Sequence, residues 1–175
     1  LNAYKNKILL ILNVASFYKQ THQYLALNEL KEEMGLINNK TECTFDIAAF
    51  PCHQFGSLEP ANNHEILNCL KYVYPGDGFE PNFRIFGKLF TNGADEHPLF
   101  RFLKDRCPSP GGFIAHQYTL SWQPLRNDDI SWNFSKFLID HKGQPYKRYI
   151  PHVHPHRLKN DIQNLIERCM SEKGY

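Results

Sequence analysis

One stretch limits the possible folds more than any other: ILLILNVA, from Ile8 to Ala15, is a near-continuous apolar run of strand length. Such a run needs cover on both faces, so it predicts a central strand in a layered fold. The two lysines before it and the small residues at its end give it the outline of a signal peptide. It is too short to span a bilayer, and the next segment is one that a folded domain requires. From Thr21 the period changes: Tyr24, Leu27, Leu30 and Met34 recur at helical spacing, with Glu29, Lys31, Glu32 and Glu33 on the opposite side and Gly35 as a stop. The reading is strand, turn, helix.

The pattern then repeats. FDIAAF, Phe45 to Phe50, predicts a second buried strand ending at Pro51, and a helix after Asn63 is expected to turn Ile66, Leu67, Leu70 and Val73 inward. YPGDGFEPNF is dense in Gly and Pro and reads as a loop, whereas HPLFRFLKDRC reads as a short helix with Pro98 in its first turn. ISWNFSKFLID alternates as a strand, HKGQ supplies a turn and PYKRYI returns as the antiparallel partner. A last helix carries Leu158, Ile162, Leu165, Ile166 and Cys169 on one face. Two parallel units followed by a hairpin and a helix predict an α/β, thioredoxin-like fold, with a central mixed β-sheet flanked by helices in one domain over residues 1–175.

Charge narrows the partners. Lys and Arg number 20 against 18 Asp and Glu, a formal charge of +2, which calls for neither nucleic acid nor an anionic membrane. Cys43, Cys52, Cys69, Cys107 and Cys169 are irregularly spaced with no C-x-x-C, so they match neither a zinc site nor a small disulfide scaffold. The odd number leaves at least one without an intrachain partner, while Cys43 can pair with another cysteine outside the cytosol.

NVAS leaving the first strand, FPCHQFG with EP close behind, KYVYPGDGFEPNF, and WNFSKFLID followed by KRY occur in one order and at matching separations. Together they resemble the glutathione peroxidase family over essentially the whole chain. The resemblance implies thiol-dependent peroxide reduction without a cofactor. The YPGDGFEPNF loop points to the tetrameric branch, closest to its extracellular plasma-type members, and so implies a secreted homotetramer. Glutathione or another thiol is the implied small partner. In such enzymes a selenocysteine or cysteine follows NVAS by one residue, surrounded by Gln, Trp and Asn donors. Carried over here, the donors are Gln54, Trp132 and Asn133, and the reactive position falls on Tyr18, followed by Lys19 and Gln20.

That tyrosine changes the chemistry expected. Peroxide cleavage of this kind needs a polarizable thiolate or selenolate that becomes an acid thiols can reduce back. A phenol, with an ordinary pKa of about 10 and a hard oxygen, offers no such cycle. Where the resemblance places thiol-binding arginines, the chain has Pro151 and His152 in IPHVHPHR, which weakens charge-assisted recognition. Cys52 reads as a packed core residue and Cys69 as structural. The expectation is a catalytically impaired member with a binding, storage or structural role. The alternative is an active thiol-dependent peroxidase, acting on hydrogen peroxide or organic hydroperoxides under oxidative stress through Cys52 or another thiol.

Two further features bear on ligands and location. His152, His154 and His156 would share one face of an extended segment, with His141 upstream, so they are candidate Zn²⁺ or Cu²⁺ ligands. His53 stands where the resemblance expects asparagine. Asn39-Lys40-Thr41 is a glycosylation sequon in an insertion after the first helix, consistent with secretion. A second sequon, Asn133-Phe134-Ser135, falls in the expected pocket and is read as buried. The family's N-terminal hairpin has only about six residues here to form it, the reading expected of a processed chain or mature fragment.

Overall fold

The computed structural model describes residues 2–37, 42–111 and 116–174. Five strands form one mixed sheet in the order β3-β2-β1-β4-β5: β1 (Ile8–Val14), β2 (Phe45–Pro51), β3 (Arg84–Ile85), β4 (Lys136–Ile139) and β5 (Pro145–Tyr149). β1 pairs parallel with β2 and antiparallel with β4. β2 continues parallel to β3, and β4 and β5 form the antiparallel hairpin. With α1 (Gln23–Ile37), α2 (Ile66–Tyr72), α3 (Pro98–Arg106) and α4 (Lys159–Lys173), this is a thioredoxin-like fold.

Every residue of β1 is buried. Ile8, Leu10, Leu12 and Val14 pack into one core with Tyr24, Leu27 and Leu30 of α1 and Ile162 and Ile166 of α4. Leu9 and Ile11 face a second core with Phe100 and Leu103 of α3. The side chains alternate because the strand does, and the continuous apolar run reflects two cores sharing one strand.

Several sequence expectations need correction. Gly35 does not stop α1, which continues to Ile37. In α2 only Ile66 and Leu70 turn inward, leaving Leu67 and Val73 exposed. The strand expected from Ile130 shortens to Lys136–Ile139 because residues 131–135 form a turn. Cys169 does lie on the buried stripe of α4, and it is bonded to Cys43. This disulfide joins the segment before β2 to the last helix across 126 residues of sequence. The Asn39 sequon lies outside the described residues. Among the described residues no helix is long and apolar enough to cross a membrane.

Candidate functional site around Tyr18

The end of β1 delivers the site. After Val14 the chain turns out of the sheet, with Phe17 N donating to Leu58 O (3.1 Å) and Ser16 Oγ donating to the buried Glu59 carboxylate (2.8 Å). Burial pushes the Glu59 carboxyl up, against the lowering effect of its bonds from Ser16. Tyr18 then caps a short 3₁₀ turn, Lys19–His22: its N–H donates to Thr21 Oγ1 (3.1 Å), and its carbonyl accepts from Thr21 N (2.8 Å). The Thr21 hydroxyl donates to Ala15 O (2.8 Å), closing the turn. The backbone around Tyr18 is therefore fixed by local polar contacts.

The side chain is held by rings. Tyr18 meets Trp132 edge-on with ring centroids 6.3 Å apart and lies 6.3 Å from Phe134. Partial burial raises its phenol above the usual range, so the group is neutral at physiological pH. Among the described residues the Tyr18 hydroxyl has no hydrogen-bond partner. Trp132 continues inward to Phe55 (5.8 Å), and Phe55 to Trp122 (5.1 Å). A Cβ placed on Gly56 would come within 3.4 Å of the Trp132 ring and 3.7 Å of Leu58 Cγ. Leu58, half-buried, thus lies on the same side of the 55–59 turn as the Trp132 ring, a position the sequence reading passed over.

Gln54 lies elsewhere. Its side-chain oxygen accepts from Thr91 N (2.8 Å) and Asn92 N (3.1 Å), and its Nε2 donates to Asn92 O (2.9 Å). The amide therefore holds the 91–92 backbone, and the structure corrects its assignment as a donor at Tyr18. Asn133 is fully buried; in the amide orientation that satisfies its surroundings, Nδ2 donates to Val14 O (3.3 Å) and Cys52 O (3.2 Å). Of the four expected site residues, the structure brings together Tyr18 and Trp132, sets Asn133 behind them against the strand ends, and turns Gln54 away. The Asn133 side chain of the second sequon is buried, as the sequence reading expected.

The turn carrying Trp132 and Asn133 is strained and clamped. Phe134 adopts φ +70°, rare for a bulky residue. Its N–H donates to Asn13 O (2.6 Å), and its carbonyl accepts from Lys136 Nζ (2.7 Å). Lys136 is fully buried and also donates to Pro151 O (3.1 Å), which Gln23 Nε2 bonds too (3.1 Å). Burial lowers its amine to about 7. Pro151 therefore anchors the turn after β5.

The histidine segment is not extended. Residues 151–153 turn, and Pro155–Leu158 is a 3₁₀ helix. His154 stacks on His156 at 5.1 Å, and His156 Nε2 lies 2.9 Å from Glu29 Oε2. Among the described residues no group of three His, Cys, Asp or Glu side chains is placed to hold a metal ion, so the period-two argument for His152, His154 and His156 fails with the conformation it assumed. The thiols are poorly placed as well. Cys52 is buried, with burial pushing it up to about 11; Cys107 is buried, and Cys69 is partly buried on α2, both raised by burial. A thiolate nucleophile needs the opposite environment.

Comparison with known proteins places this geometry. The glutathione peroxidase family model matches residues 1–104. The chain is 46% identical over 153 residues to the cuticular glutathione peroxidase of Wuchereria bancrofti, covering 86% of this chain and 66% of that protein. It is 42% identical over 178 residues to glutathione peroxidase 1 of Sus scrofa, covering 99% and 82%. The crystal structure of T. cruzi GPX1 superposes with a TM-score of 0.65 at 27% identity, covering 95% of this chain and 86% of that one. The chain thus spans about two thirds of the length of its cuticular relative. The shared extent of sequence, the mixed sheet and the Trp-Asn turn behind the end of β1 all lead to one assignment: this chain belongs to the glutathione peroxidase family.

Proposed function

We propose that this chain is a secreted, tetrameric glutathione-peroxidase-like protein in which Tyr18 replaces the peroxidatic chalcogen, leaving a binding, storage or structural component with little peroxide turnover. One observation carries the reading: the side chain presented at the end of β1 against Trp132 is a neutral phenol. Peroxide cleavage followed by thiol reduction requires a sulfur or selenium anion at that point. The Cys43–Cys169 disulfide supports an oxidising compartment, as does similarity to a protein named as cuticular.

The test is a coupled peroxide assay with glutathione on the wild-type chain, Tyr18→Cys, and Tyr18→Cys combined with Leu58→Gln. Wild type is expected to be at background, because loss of a nucleophile removes orders of magnitude in rate. Tyr18→Cys should gain activity, and the double variant more, since residue 58 can present an amide beside Trp132 whereas Gln54 cannot. Wild-type turnover comparable to that of Tyr18→Cys would overturn the proposal.

A second reading, an active peroxidase using Cys52, has family membership in its favour. The thiol at about 11 argues against it. If that reading held, alkylating the free thiols would abolish wild-type turnover.

A further inference from the structure

We propose that Tyr18 is a hydrogen-atom donor to organic peroxyl radicals, and that Trp132 passes oxidising equivalents from the interior outward to it. The proposal rests on the preceding reading that no chalcogen occupies this position. It assigns the site a one-electron chemistry distinct from the two-electron reduction of peroxides.

The tyrosines differ in how they are placed for this chemistry. Tyr24 is fully buried, the Tyr149 hydroxyl donates to Asp161 (2.7 Å), and the Tyr74 hydroxyl to Lys19 O (3.3 Å). Tyr72 and Tyr118 are 70% and 86% exposed; Lys71 lies over the first ring and His116 stacks on the second. Lys7 Nζ lies over the Tyr4 ring and Tyr146 is 45% exposed; among the described tyrosines Tyr18 alone meets a tryptophan ring. It is half-buried, its hydroxyl has no partner among the described residues, and its ring joins the aromatic series Trp122, Phe55, Trp132, Tyr18 at centroid steps of 5.1, 5.8 and 6.3 Å. Phe17 beside it is 41% exposed and offers an apolar approach to the carbon-bearing part of a radical.

The steps balance. A peroxyl radical ROO• takes one hydrogen atom from the phenol: the phenolic O–H bond breaks, the O–H bond of ROOH forms, the radical is reduced to a hydroperoxide and Tyr18 becomes a phenoxyl radical. When a peroxyl radical instead takes one electron from Trp132, it becomes the anion ROO⁻ and leaves an indole radical cation; the indole regains an electron from Tyr18, and the phenolic proton, released through water, converts ROO⁻ to ROOH. The phenol, raised above its usual range by burial, is protonated at neutral pH and so has a hydrogen atom to give. The product of the first step, a hydroperoxide, would need a two-electron peroxidase to consume it.

The experiment exposes the full chain to peroxyl radicals from a thermally decomposing azo initiator in aerated buffer and follows each Tyr and Trp by peptide mapping. Tyr18 should be lost several-fold faster than Tyr72 and Tyr118 despite being less exposed, and in Tyr18→Phe the loss of Trp132 should accelerate severalfold. Loss rates that simply follow exposure, or Trp132 loss unchanged in Tyr18→Phe, would overturn the inference. Glutathione-dependent consumption of hydroperoxide by the wild-type chain, assayed in parallel without initiator, would instead sink the reading beneath it.

Discussion

The mouth around Tyr18 and the polar network beyond Gln54 lie at opposite ends of one chain of contacts, yet they are built from different materials. In the network, Gln54 holds Thr91 and Asn92; Asn92 Oδ1 accepts from Lys104 Nζ (3.2 Å) and Ile130 N (2.9 Å). Lys104 pairs with Glu96 and with Asp129 Oδ1 (3.1 Å), all three side chains being essentially solvent-free. Asp129 accepts from Trp122 Nε1 (2.8 Å), and Arg126 bridges back to Glu96 (2.9 Å). The Tyr18 side chain, by contrast, is held by ring contacts and packing against the apolar core, with no hydrogen bond among the described residues. The difference teaches that the scaffold fixing the 120–133 segment, and with it Trp132, is intact although the side chain it faces is a phenol. Framework and reactive group are separable here.

The comparison breaks most severely at Lys104. Lys104→Met leaves Glu96 and Asp129 buried without their cation, and removing one partner of a buried pair costs about 3–5 kcal/mol. Denaturant unfolding should show this as a lowered midpoint, and an unchanged midpoint would mean that the network holds nothing in place. Glu96 adds a pH test. Burial alone would raise its carboxyl, but hydrogen bonds from Lys104 and Arg101 outweigh this and hold it below the usual carboxylate range. Its contribution is therefore present above the unfolded pKa and lost as pH falls through the lower folded value.

Lys136, beneath the mouth, titrates in the other direction. Its folded amine sits at about 7, against an ordinary value of about 10.4. Between these values the unfolded chain carries a proton that the folded chain has released. Stability should rise with pH across that window, by on the order of 1 kcal/mol per unit, with the penalty complete below about 7. In Lys136→Met the rise should flatten; an equally steep rise would show that other groups carry it.

A smaller effect is expected at Gln54. Gln54→Ala leaves the Thr91 and Asn92 amides unpaired, at a cost of about 1–3 kcal/mol. In a Tyr18→Cys background it should reduce stability with little change in turnover. Loss of turnover at unchanged stability would return Gln54 to the site.

Why the sequence misplaced Gln54 is physical. FPCHQFG shows that the glutamine leaves β2 near the mouth, but an amide can point either way, and its partners lie 37 and 38 residues on. Lys104 did leave a signal: it shares the inward face of α3 with Phe100 and Leu103, and a lysine within an apolar stripe implies a buried counter-charge. β1, β2 and the inward face of α1 were legible because periodicity reports burial directly. Leu67 and Val73 were not, since α2 is only seven residues long and covers the core with a single turn-to-turn pair, Ile66 and Leu70. The histidine run failed for a related reason. Period-two spacing places side chains on one face only in an extended chain, and Pro151 and Pro155 take the segment through a turn into a 3₁₀ helix.

The smallest effect belongs to the mouth itself. Tyr18→Phe keeps the ring that meets Trp132 and Phe134 and removes a hydroxyl that no described protein group bonds. The change in unfolding free energy should stay within about 0.5 kcal/mol, the range of substitutions that disturb neither packing nor a buried hydrogen bond. Set beside the several-kilocalorie cost at Lys104, that neutrality would confirm that the phenol is no part of what holds the fold. A loss above about 1 kcal/mol would reveal a structural bond to the hydroxyl, and Tyr18 would then belong to the framework rather than to a surface kept open for chemistry or binding.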